Sequence, residues 1–79
     1  YPNPFNSNTQ IAFTVPGQSH VSINVFDMLG RNIATLVNRD MNAGSFTTTW
    51  HAIRVNSGVY FVCMEADGFN ATRRIALLR

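Results

Sequence analysis

The residues able to do acid–base or metal chemistry are few: Asp27, Asp40, Glu65, Asp67, His20 and His51. Their spacing assembles no site. Asp27 falls at the end of an apolar run and Asp67 is half of an Asp-Gly pair, so both have turn roles to fill. Asp40 lies in a polar stretch and Glu65 near the end of an apolar one, and no two acids have the spacing of a general acid and base. The histidines stand far apart without a cluster of further ligands, which argues against zinc. No serine sits in a nucleophile-elbow pattern, and no glycine-rich loop is placed to cradle phosphate. The chain therefore reads as non-catalytic, with no metal and no cofactor.

Two other groups of residues can recognise rather than react. All six basic residues are arginines, and three of them, Arg73, Arg74 and Arg79, gather at the end of the chain. The bland role is a charged edge that deters sheet-to-sheet aggregation. The sharper role is a recognition strand, whose unpaired backbone and flanking charge another protein reads by β-augmentation. The remaining arginines are scattered, unlike the dense basic stripe of a nucleic-acid binder. Aromatic residues form the second group. Trp50 with Tyr60 or Phe61 falls on alternating apolar positions and is expected in the core. Phe69 follows a turn glycine and is expected to be exposed. Cys63 is the sole cysteine; within the apolar run Val59 to Met64 it reads as a buried small hydrophobe. Asn70-Ala71-Thr72 matches a glycosylation sequon, a short pattern that carries little weight.

The elements that must position these residues are strands. Gly17, Gly30, Gly44, Gly58 and Gly68 punctuate short apolar runs, the pattern of an all-β sandwich or barrel. Ile11, Phe13 and Val15 alternate with smaller polar residues and stop at Pro16-Gly17. Val21, Ile23 and Val25 alternate in the same way, and Asp27-Met28-Leu29-Gly30 makes a hairpin connection. Ile33 to Val37 alternates less cleanly, which is a bulge signal, and Asn38 to Gly44 reads as a polar loop. Phe46, Thr48 and Trp50 face one way, with a threonine-rich pattern that suits a pleat. His51 to Ser57 is a loop. Val59 to Ala66 reads as a central strand covered on both faces. Asp67-Gly68 is a hairpin turn, and Ala71 to Leu78 is the closing strand, with Ile75 and Leu77 on one face. No stretch has helical periodicity. The expected fold is a small immunoglobulin-like antiparallel β-sandwich of six to seven strands with essentially no helix.

At the start, Tyr1-Pro2-Asn3-Pro4-Phe5-Asn6 reads as a stiff, extended segment anchored by Phe5. Asn6 to Asn8 reads as a turn. The prolines confine any strand there to a sheet edge, where it would be the seventh. The segment looks like the beginning of a module carried by a longer protein. Seventy-nine residues suit one domain spanning 1–79. Charged residues make up 13% of the chain, about half the usual share of about 25%, which suits a module attached to a larger neighbour. No apolar run approaches the ~20 residues of a membrane helix, so direct membrane insertion is not expected.

Taken together, these stretches resemble the type A C-terminal sorting domain of the type IX secretion system of Bacteroidetes. The opening Tyr1 to Asn6 and the following Thr9-Gln10-Ile11 look like the family's start. Val21 to Val25 with Phe26-Asp27-Met28-Leu29-Gly30-Arg31 looks like its first hairpin, and Ile33 to Val37 like its next strand. Ala43-Gly44, Trp50 and Ser57-Gly58-Val59-Tyr60-Phe61 match its middle and late parts, and Ala71 to Arg79 its closing strand. The middle portion is also similar to the immunoglobulin-like domain of flagellar hook-capping proteins. Ser7-Asn8 departs from the usual proline-containing turn, and His51 stands after Trp50 where an acid and a glycine are common.

The resemblance implies a secretion and sorting signal covalently linked to an N-terminal passenger. The outer-membrane translocon would recognise it and a sortase-like protease would remove it. The passenger would pass through the periplasm to the cell surface or the medium. The candidate recognition residues are Leu29, Gly30 and Arg31 in the turn and Arg73, Arg74, Ile75, Leu77, Leu78 and Arg79 in the closing strand. Two other classes of function compete: an accessory carbohydrate-binding module, which needs two exposed coplanar aromatic rings, and a structural spacer or assembly domain.

Overall fold

The computed structural model describes residues 8–78. The opening segment Tyr1 to Asn6 and a seventh strand within it lie outside the described residues, as does Arg79. Six strands follow in order: β1 (Asn8–Val15), β2 (Ser19–Phe26), β3 (Asn32–Met41), β4 (Gly44–His51), β5 (Gly58–Ala66) and β6 (Phe69–Leu77). There is no helix among the described residues. All pairings are antiparallel. They form a four-stranded sheet, β3-β2-β5-β6, and a two-stranded sheet, β1-β4. This is the all-β sandwich architecture expected.

Alternation places the core between the sheets. β1 contributes Ile11 and Val15, β2 Val21, Ile23 and Val25, and β5 Tyr60, Val62 and Met64. Trp50 is 3% exposed and meets Tyr60 edge-on, with ring centroids 5.2 Å apart. Such a pair contributes about 0.5–1.5 kcal/mol beyond its area. The Tyr60 hydroxyl donates to the Asn56 carbonyl at 2.6 Å, which satisfies its one polar atom at the core's edge.

Two glycines sit where the turn demands them. Gly30 has φ +81° and Gly68 φ +64°, conformations that cost an L-residue roughly 1–2 kcal/mol. Gly68 closes the β5–β6 hairpin with Asp67, as the Asp-Gly pair predicts. The irregular third strand is also as predicted. In the pairing of β2 with β3, two register shifts leave Leu36 and Ile33 without opposite partners.

Four expectations are corrected. Asn38 to Gly44 is not a loop: β3 runs on to Met41, and only Asn42 and Ala43 connect it to β4. The polarity of Asn38 to Asp40 misleads, because this edge strand exposes them while buried Val37 and Met41 hold it down. Their backbones pair with Ser22 to His20, and the His20 ring bonds Asn38 and Asp40. Asn8 is not in a turn but pairs with His51 in β1. β5 is covered on one face only: Tyr60, Val62 and Met64 are buried, whereas Val59, Phe61 and Cys63 on the other face are half-buried. Cys63 is accordingly not a core residue; the Thr72 hydroxyl lies 3.6 Å from its sulfur across the outer face.

Candidate functional site

The strand directions decide which loops are neighbours. β2 and β6 end, and β3 and β5 begin, at one end of the larger sheet, because Asn32 and Phe61 flank Phe26 and Arg74 flanks Phe61. β4 ends there too, at His51, opposite the start of β1 at Asn8. The β2–β3 turn, the 52–57 loop and the end of β6 therefore share one end of the sandwich. The turn residues Leu29, Gly30 and Arg31 and the closing residues Leu77 and Leu78, predicted separately, are brought to that common end.

Asp27 builds the turn. Its Oδ1 accepts the backbone N–H of Leu29 at 2.9 Å and of Arg31 at 3.0 Å. Its Oδ2 accepts Arg31 Nε at 2.7 Å. Backbone bonds from Gly30 N–H to the Asp27 carbonyl and from Asp27 N–H to the Arg31 carbonyl, both 3.0 Å, close the loop. The Arg31 amide first, then the Arg31 side chain and the Leu29 amide, holds the Asp27 carboxyl below its ordinary pKa. This single side chain thus fixes the turn in one shape and leaves Met28 and Leu29 standing in water, 69% and 77% exposed. The Arg31 side chain is 72% exposed at the same place.

The closing strand divides by function. Leu77 is 5% exposed and belongs to the core, and Ile75 is half-buried beside it. Leu78 is 86% exposed at the end shared with the turn. Arg73 and Arg74 are exposed on opposite faces, since Arg73 lies opposite buried Val62 and Arg74 opposite half-buried Phe61. Both come earlier in the chain than Leu77 and Leu78, with Arg74 level with Phe61 and, beyond it, with Phe26 at the end of β2.

Two residues at this end were not anticipated from sequence. Ile53 is 58% exposed in the 52–57 loop, and Arg54 beside it holds φ +62°. A non-glycine residue in that region is uncommon and strained, and such strain gathers at functional positions. An apolar residue in an otherwise polar loop was the one available signal. Of the exposed large hydrophobic residues, Met28, Leu29, Ile33, Ile53 and Leu78 lie at this end, while Phe69 lies at the other.

The aromatic platform needed for sugar stacking does not form from Trp50 and Tyr60, which are in the core. Among the described residues Phe69 is the one exposed large aromatic, as expected. No group of three His, Cys, Asp or Glu residues is placed to hold a metal among the described residues. No helix is long and apolar enough to cross a membrane among the described residues.

Comparison with known proteins agrees with the resemblance. The family model for the secretion system C-terminal sorting domain matches residues 1–77. No curated protein and no solved structure matches the chain. With the profile covering nearly every position and the sandwich it requires in place, the chain belongs to the family of secretion system C-terminal sorting domains.

Proposed function

We propose that this domain is the non-catalytic export label of a larger protein, read at the end of the sandwich that carries Leu29, Arg31 and Leu78. Membership of the sorting family implies a type IX secretion system interaction, linkage to a parent protein and export to the surface or medium. The observation that supports the reading is the gathering of Met28, Leu29, Ile53 and Leu78 beside Arg31 and Arg54 at one end. Exposed apolar side chains at an end that also carries arginines suit burial by a protein partner, the arginines adding specificity for its carboxylates. β1 begins at this same end, at Asn8. The partner is the outer-membrane translocon, and a sortase-like protease then separates label from passenger.

The test is a reporter fused ahead of this domain, expressed in a type IX-competent host and in the same host lacking its translocon. Export that requires both the domain and the translocon is expected. Export of the reporter without the domain, or without the translocon, would refute the reading.

A further inference from the structure

The two sheets are unequal, and the difference leaves a slot. On β6, Ala71, Arg73, Ile75 and Leu77 lie opposite Met64, Val62, Tyr60 and Gly58 and share the inner face of the sheet. Exposure rises along that face from buried Leu77, through half-buried Ile75, to exposed Arg73 and Ala71. The two-stranded sheet therefore covers the end of β6 but not its beginning. A cleft of about 550 Å³ opens between the sheets there. Val62, Met64 and the stacked rings of Phe13 and Phe46, 5.7 Å apart, line its apolar interior. Phe69 and Arg73, both exposed, stand at its rim.

Three observations coincide at this flank. Among the described residues β6 pairs with β5 alone, and the backbone donors and acceptors of its other edge meet no further strand there. Thr72, which faces outward, lines the cleft together with inward Ala71 and Arg73, so the cleft runs along that edge. Arg73 has no hydrogen-bond or ion-pair partner among the described residues. A sheet edge and a guanidinium that have no partner among the described residues, beside an apolar slot, suit strand addition: main-chain bonds supply affinity and alternate side chains supply specificity.

We propose that the open edge of β6 accepts an extended segment of a partner protein as a fifth strand of the larger sheet. Its inward side chains alternate with outward ones, so one inward position lies beside Arg73 and the next, two residues along, enters the cleft. The first is acidic and the second apolar. Cross-strand neighbours of opposite charge stabilise a pair, whereas like charges destabilise it. A second copy of β6 is disfavoured on this ground, because the strand carries Arg73 and Arg74 and no acid. The proposal extends the reading of the closing strand as a recognition element, but its test concerns binding by the purified chain, so export results leave it standing or falling separately.

The probe is an eight-residue peptide alternating threonine with leucine and glutamate on one face, alongside a counterpart with lysine for glutamate. Amide chemical shifts and hydrogen exchange of the whole chain are followed during titration. The expected result is new protection of the β6 amides that face away from β5, with shifts confined to Phe69–Leu77 and the cleft. The acidic peptide should bind at least tenfold more tightly than the basic one, and Arg73→Glu should reverse that preference while the unliganded spectrum stays folded. Equal affinities, shifts located elsewhere, Arg73-dependent dimerisation, or β6 edge amides already protected in the free chain would each overturn the proposal.

Discussion

Leu77 and Leu78 are adjacent, both leucine and both in the segment the sequence marks for recognition, yet the fold gives them opposite work. Leu77 is 5% exposed inside the sandwich and Leu78 is 86% exposed beyond the last strand pair. Replacing each in turn with alanine separates folding from recognition. Truncating a buried leucine costs about 2–5 kcal/mol, through lost transfer energy and the cavity left behind. A 79-residue domain has a total stability of roughly 4–12 kcal/mol at the usual share per residue. Leu77→Ala should therefore remove a large part of that stability. At about 4–8 °C per kcal/mol for a domain of this size, the melting temperature falls by roughly 10 °C or more. Leu78→Ala, at a surface position, should stay within about 0.5 kcal/mol of the parent. Trp50 is the single tryptophan and is buried, so its fluorescence during urea unfolding reports the transition for both variants. Equal loss of stability in the two variants would refute the assignment of their roles. The same contrast bears on truncation: deleting Ile75 to Arg79 removes Leu77 and three pairs with β5, so loss of export after such a deletion would report unfolding as readily as lost recognition.

Further outcomes follow from the turn, the edge and the glycines. Asp27→Ala removes three accepted hydrogen bonds and should broaden the amide resonances of Leu29 to Arg31; unaltered resonances would show that the backbone bonds alone hold the turn. Because the folded-state pKa of Asp27 is lowered, its contribution is present above its unfolded value near 3.9 and is lost as pH falls through the folded one, so Asp27→Asn should flatten the acid limb of the stability curve. His20 is the opposite case: the Asn38 amide oxygen, then the Asp40 carboxylate, raise its pKa, so its contribution is complete below an unfolded value near 6.5 and disappears as pH rises through the folded one. Nuclear magnetic resonance titration should place the His20 midpoint above that of a model histidine, and Asn38→Ala should bring it down; an unchanged midpoint would contradict the bonding described. Gly68→Ala, with φ at +64°, should cost about 1–2 kcal/mol in thermal melts, whereas Gly17→Ala, with nothing near its added methyl group and no left-handed backbone, should cost less than half of that.

Much of the fold was legible because the core lies on strands with clean alternation. Val21, Ile23 and Val25 are apolar at every second position and are buried accordingly. Asp67-Gly68 and Asp27 to Gly30 announced their hairpins through residues that tolerate or enforce turns. The strand reading failed where burial is one-sided or where an edge strand is wet. Asn38, Arg39 and Asp40 look like a loop because an edge strand is free to expose them, and their pairing with β2 has no composition signature. Val59 to Ala66 looks doubly buried because nothing in an apolar run states whether a second layer covers the strand's outer face. The β1–β4 sheet has two strands against four, and this narrowness leaves the cleft beside β6, which no local pattern announced.

The candidate surface was legible in part. Leu29 to Arg31 and Leu78 were marked through the family resemblance, but their meeting at one end depends on antiparallel pairing across four strands. Ile53 and the strained Arg54 join them only through the fold. The divided role of Ile75 and Leu77 could not be separated from that of Leu78 until strand register showed which side chains the core takes.

The most direct measurement is export of a reporter fused ahead of the variant Leu29→Glu/Leu78→Glu in a type IX-competent host. Both side chains are exposed, so the variant should melt with the parent domain. The folded variant should leave the reporter inside the cell envelope while the parent delivers it to the surface or medium. Delivery by the variant at the parental level would contradict the claim that this end of the sandwich is the surface that is read.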